Sequence, residues 1–102
     1  MRVELLWFDD CPNHDAAGAM LREVLADQGA GDGFEEIDAS DPEVAERLRF
    51  PGSPTIRIDG VDVEPGFEDP GDYTPRCRLY ATAEGLRGLP DRTWIAASID
   101  AA

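Results

Sequence analysis

A chain of 102 residues with 42% hydrophobic content is one domain's worth, able to bury a real but thin core. Its formal net charge of -13, from 22 acidic and 9 basic residues, argues against nucleic acid and against anionic membrane surfaces, both of which demand a basic face. No apolar run approaches the roughly 18 residues of a membrane span. The opening Met1-Arg2-Val3-Glu4 shows no basic, apolar and small-residue segments in series, so no signal peptide and a cytoplasmic location are expected.

Residues 3–8 read Val-Glu-Leu-Leu-Trp-Phe, interrupted only by Glu4, and suit a strand buried on both faces. Asp9-Asp10-Cys11-Pro12-Asn13 breaks the run. Ala17, Met20, Leu21, Val24, Leu25 and Gln28 then recur at helical spacing, which predicts a helix over 13–28 with one apolar face and Asn13 as its N-cap. Gly29, Gly31 and Gly33 end it. Residues 34–38 form a more polar strand, expected near a sheet edge.

Ser40-Asp41-Pro42-Glu43 starts a second helix in either of two registers: a Ser40–Glu43 capping box, or Asp41 as N-cap with Pro42 in the first turn. Val44, Ala45 and Leu48 supply its buried stripe. After the breaker cluster 50–54, Thr55-Ile56-Arg57-Ile58 alternates as a strand. Asp59-Gly60 suits a tight hairpin turn, and 61–63 return as an antiparallel strand. From Gly60 to Pro90 lie 5 of the 10 glycines and 4 of the 8 prolines, so residues 64–75 are expected as an irregular loop. Residues 77–80 read as a short extra strand. Asp91 caps a last helix carrying Trp94, Ile95 and Ile99. Trp7 and Trp94 are expected in the core.

The order predicts one α/β domain over 1–102, β-α-β-α-β-β-α, with an irregular insertion before the last helix. The first strand-helix-strand unit should pair in parallel, the hairpin should extend the sheet with antiparallel pairing, and helices should cover both faces.

This order, with Trp7-Phe8-Asp9-Asp10-Cys11-Pro12-Asn13-His14 between strand and helix and Gly52-Ser53-Pro54-Thr55 before the third strand, resembles the thioredoxin-like superfamily. More narrowly, the chain is similar to small bacterial thioredoxin-like proteins with an aromatic-Asp-x-Cys-Pro motif, and Cys77-Arg78-Leu79-Tyr80 is similar to a late motif of that group. The resemblance covers about residues 2–63 and the last helix. It implies a cis Pro54 facing Cys11, a groove shaped by Ser53, Pro54 and Pro12, and a chain before Pro54 left free to pair with an extended peptide. It departs from thioredoxin at His14, which stands where the second cysteine of Cys-x-x-Cys would be. Cys11 therefore works alone with a low-molecular-weight thiol, pairs with Cys77, or is a relic.

The attacking species would be the Cys11 thiolate. A helix N-terminus favours it, and a protonated His14 would add to this, whereas Asp9, Asp10 and Asp15 oppose it. The plain alternatives are an inert buried Cys11 or Cys77 and a surface His14. Arg76 and Arg78 read as solvated side chains, or as a local offset that would hold an anionic thiol.

The expected activity is thiol-disulfide exchange through Cys11 with His14 beside it, Cys77 or an external thiol resolving, on a protein or low-molecular-weight disulfide. No cofactor or resident metal is called for. Asp9, Asp10, Cys11, His14 and Cys77 lack the second half of a zinc site. The rival is a non-catalytic module that carries a soft ion such as copper(I) or mercury(II) on two thiolates, or that recognises a partner protein. No Walker loop, Gly-x-Gly-x-x-Gly or Ser-His-Asp arrangement is visible.

Overall fold

The structure is a computed structural model that describes residues 1–31 and 33–102. Strand β1, Val3–Trp7, lies at its centre because its side chains alternate between two apolar layers. Val3 and Leu5 join the buried cluster of Leu21, Val24 and Leu25 from α1 (His14–Asp27) and Ile95 from α3 (Arg92–Ala101). Leu6 faces the other way, into Ala39, Phe50 and Ala45 of α2 (Pro42–Leu48). Helices therefore cover both faces.

Beside β1 run β2 (Glu35–Asp38), paired in parallel, and β3 (Thr55–Ile58), paired antiparallel, with β4 (Val61–Asp62) beyond β3. The mixed sheet has the order β2-β1-β3-β4. As an edge strand, β2 leaves Glu35 and Glu36 exposed. The turn between β3 and β4 takes the left-handed backbone at both Asp59 (φ 51°) and Gly60 (φ 81°).

Helix starts follow local chemistry. In α2 the carboxylate of Asp41 accepts the Glu43 amide at 2.8 Å with Pro42 in the first turn, which selects that register over the Ser40 capping box. Ser40 is diverted: its hydroxyl donates to Asp38 and accepts the Asp9 amide at 2.9 Å. In α3, Asp91 accepts the Thr93 amide at 2.9 Å. Asn13 is the N-cap of α1 but makes no side-chain cap bond. Its amide packs instead where a Cβ on Gly88 would collide with it.

The insertion departs from expectation. The strand expected over 77–80 is a single parallel bridge, Cys77 to Ser53, and the true strand is β5, Tyr80–Thr82, paired antiparallel with β6, Gly85–Arg87. Within 77–80, Arg78 and Tyr80 point inward, and Cys77 and Leu79 point outward. Arg78 is consequently not the solvated side chain expected. Trp7 and Trp94 are half-buried rather than core. Trp94 leans on Tyr80 with ring centroids 6.2 Å apart, and Trp7 stacks on His14.

No helix among the described residues is long and apolar enough to cross a membrane.

Candidate functional site

Cys11 sits in the turn that joins the end of β1 to α1. The strand ends at Trp7, one residue short of the apolar run, because the chain turns there, with the Cys11 amide donating to the Phe8 carbonyl at 3.1 Å. Two serines from distant segments hold this turn: the Phe8 amide donates to Ser53 Oγ at 3.3 Å and the Asp9 amide to Ser40 Oγ at 2.9 Å. Cys11 is half-buried and Pro12 exposed.

His14 opens α1, with its ring 4.2 Å from that of Trp7 and tilted by 9°. Its Nε2 meets Glu36 Oε1 of β2 at 2.9 Å. The imidazole is therefore engaged by Trp7 and Glu36, across the parallel β1–β2 pair. The Trp7 indole Nε1 is buried and has no hydrogen-bond partner among the described residues.

Ser53 is the node of the site. Its hydroxyl holds the cysteine turn, and the Ser53–Pro54 peptide, which is cis, leads directly into β3. Ser53 also pairs with the insertion: its amide donates to the Arg76 carbonyl at 2.8 Å and its carbonyl accepts the Arg78 amide at 2.9 Å. The backbone before Pro54 is thus not left free for an extended peptide, which corrects that expectation. Residue Cys77 lies between the two bonded positions, and its side chain is exposed. Cys77 is accordingly no core residue, and it lines an open recess of about 260 Å³ with Pro51, Phe67 and Arg76.

Behind Cys77 lies a charged cluster that sequence reasoning missed. The Arg78 guanidinium, with 7% of its side chain exposed, donates to both carboxylate oxygens of Asp62 at 2.7 and 3.1 Å. It also donates to Glu64 at 3.0 Å and to Thr55 Oγ1 at 2.9 Å. It lies over the Tyr80 ring at 4.3 Å and the Phe67 ring at 5.1 Å. Burial opposes the charge, but the bonds to Asp62 and Glu64 outweigh it and hold the Arg78 pKa above that of an ordinary arginine. The buried Tyr80 hydroxyl donates to the Pro54 carbonyl. Burial, opposed by the neighbouring Arg78 charge, raises the Tyr80 phenol well above its usual value. The available signal was the alternation Asp62-x-Glu64, two acids on one side of the chain, against the inward alternation of Arg78 and Tyr80.

Ser53, Pro54, Cys77 and the turn carrying Cys11 are therefore bonded into one end of the sheet. The structure leaves both cysteines as free thiols. It does not gather Asp9, Asp10, Cys11, His14 and Cys77 into a chelate: among the described residues no group of three or more His, Cys, Asp or Glu side chains is placed to hold a metal ion.

The fold and the site together define an α/β protein with a cysteine at a strand-to-helix junction, braced by a serine–proline turn from a neighbouring strand. No family model matches the chain, and no curated protein or solved structure matches it.

Proposed function

We propose that this is a thioredoxin-like thiol-disulfide oxidoreductase in which Cys11 is the nucleophile. The reading is supported by the β1-α1-β2 parallel unit, the antiparallel β3 and β4, and helices on both faces. The observation that carries it is the bond from Phe8 to Ser53 Oγ, which ties the Cys11 turn to the turn before β3.

In this reading the Cys11 thiolate attacks one sulfur of a disulfide R–S–S–R′. A Cys11–S–S–R bond forms, and R′S⁻ leaves and takes a proton from water. An external thiolate then attacks the R sulfur, giving a new disulfide and restoring Cys11. Alternatively Cys77 attacks Cys11 Sγ and expels RS⁻, and external thiol reduces the resulting Cys11–Cys77 bond. Cys11 lies in the turn two residues before Asn13, the N-cap at the N-terminus of α1. His14, held by Trp7 and Glu36, orders that terminus.

The test is alkylation of each cysteine across pH, read by mass spectrometry, with turnover of a small disulfide by wild type and Cys11→Ala. Cys11 should react in the folded protein, and the variant should lose turnover. A Cys11→Ala protein as active as wild type would sink the reading. After mild oxidation, loss of two hydrogens and protection of both thiols would make Cys77 the resolving residue.

A further inference from the structure

Strand pairing with a foreign peptide needs free backbone N–H and C=O groups along an edge. Around Pro54 these groups are spoken for. The Ser53 amide and carbonyl are bonded to Arg76 and Arg78. The Gly52 carbonyl accepts the Thr55 hydroxyl at 2.6 Å. The Pro54 carbonyl accepts the Tyr80 hydroxyl, and proline has no N–H. From the Ser53 amide to the Pro54 carbonyl, every polar backbone group has a partner inside the chain.

The occupying segment is fitted and bolted. Gly52 has a φ of 126°, and a Cβ there would stand 2.8 Å from Arg78 Cβ, so the two backbones meet only because residue 52 is glycine. The same Arg78 drives its charge into Asp62, Glu64 and Thr55. Removing the segment from Ser53 would drag out a paired, buried guanidinium, which is far costlier than exchanging a surface loop for a peptide.

We infer that residues 76–78 are the chain's own occupant of the strand-pairing edge, and that Cys11 consequently acts on disulfides carried by small molecules rather than by extended polypeptides. This rests on the reading of Cys11 as the nucleophile. The segment is a specificity element: a small R–S–S–R′ needs only to bring one sulfur to Cys11, whereas a polypeptide that would be oriented by backbone pairing finds no partner groups. The electron and proton balance is that already given for Cys11, with a low-molecular-weight thiol as the regenerating co-reactant.

The experiment compares two pyridyl disulfides with the same leaving group. One carries a hydroxyethylthio group, and the other carries the cysteine of an unstructured peptide. Rates of modification at Cys11 are read by peptide-mapping mass spectrometry on the full-length protein and normalised to the rates with free cysteine. After normalisation the peptide should react no faster than the small probe, because no backbone groups beside Pro54 are left to pair with it; an open edge would favour the peptide by about tenfold, the factor that one or two strand-pairing bonds supply. Arg78→Met, which unbolts the segment, should raise the peptide's relative rate. A peptide that reacts several-fold faster than the small probe in wild type overturns the inference alone. No reaction of either probe at Cys11 overturns the redox reading, and the inference with it. An independent measurement is amide exchange on the unmodified protein. The Ser53 and Arg78 amides should be protected, and should stay so with excess of the same peptide carrying serine for cysteine. Rapid exchange at Ser53, or its loss of protection to Arg78 alone when peptide is added, overturns the inference whatever Cys11 does.

Discussion

Arg78 and Asp62 face each other as a two-bond ion pair, at 2.7 and 3.1 Å, with only 7% and 4% of their side chains exposed. A pair this dry joins the insertion to β4 and thereby fixes where Cys77 emerges. Taking two charges out of water is expensive, and their attraction repays it only with good geometry and further hydrogen bonds, which Glu64 and Thr55 supply.

Asp62→Ala should destabilise the protein by about 3 kcal/mol, the lower end for removing one partner of a buried pair, because Glu64 keeps hold of the guanidinium. Arg78→Met should cost a similar amount, since it leaves the Asp62 carboxylate buried and without its guanidinium partner. The double variant should cost clearly less than the sum, as residues in direct contact do. Urea unfolding of the four proteins gives the cycle, and strictly additive costs would refute a direct pairing.

The charged cluster also marks where sequence reading stopped. The central layers were legible because local signals agreed: an apolar run in β1, helical spacing in α1, Asp59-Gly60 between β3 and β4, and Asp41-Pro42 at α2. Asp91 was legible as a cap for the same reason. The β5–β6 hairpin was not, because Tyr-Ala-Thr and Gly-Leu-Arg are short, mostly exposed strands whose pairing is seen only in three dimensions. Neither alternative open for Arg78 in the sequence, a solvated side chain or an offset for an anionic thiol, includes its burial, because buried arginines are exceptions that depend on partners. Its partners, Asp62 and Glu64, lie 16 and 14 residues upstream. At the site, Cys11 and the Ser53–Pro54 turn were visible as motifs, whereas the engagement of Ser53 by residues 76–78 was not. Backbone pairing leaves no trace in side-chain identity beyond a glycine at position 52.

Tyr80 gives the protein an alkaline limit. Burial raises its phenol in the folded state above the roughly 10 of an unfolded tyrosine, so the folded chain holds a proton that the unfolded chain releases. The sign follows: stability is unaffected below about pH 10 and falls as the pH rises beyond it. Tyr73, raised chiefly by its hydrogen bond to Asp69, is the other tyrosine, and Tyr73→Phe isolates Tyr80 in a phenolate absorbance titration. In that background the remaining phenol should ionise only as the protein unfolds. In urea it should titrate near its usual value. In the same Tyr73→Phe background, Tyr80→Phe should remove this alkaline loss. It should also cost about 1–2 kcal/mol at neutral pH, because the Pro54 carbonyl loses its buried donor. A native phenol titrating near 10 would contradict the buried placement.

Ser53 is where the braced turn can be loosened without disturbing the segment that pairs with it. The hydroxyl holds the Phe8 amide at 3.3 Å, whereas the bonds to Arg76 and Arg78 are made by the backbone, which Ser53→Ala retains. Deleting the hydroxyl leaves a part-buried amide without its acceptor, at a cost of about 1 kcal/mol in stability. Two local consequences should accompany it. The Phe8 amide should exchange faster, while the Arg78 amide keeps its protection. Alkylation of Cys11 should accelerate as the turn that half-buries it opens, with Cys77, already exposed, reacting at its wild-type rate. A change at Cys77 equal to that at Cys11 would mean that the variant loosens the whole end of the sheet. Unchanged Cys11 reactivity with a freely exchanging Phe8 amide would show that the bond braces the strand end but not the cysteine.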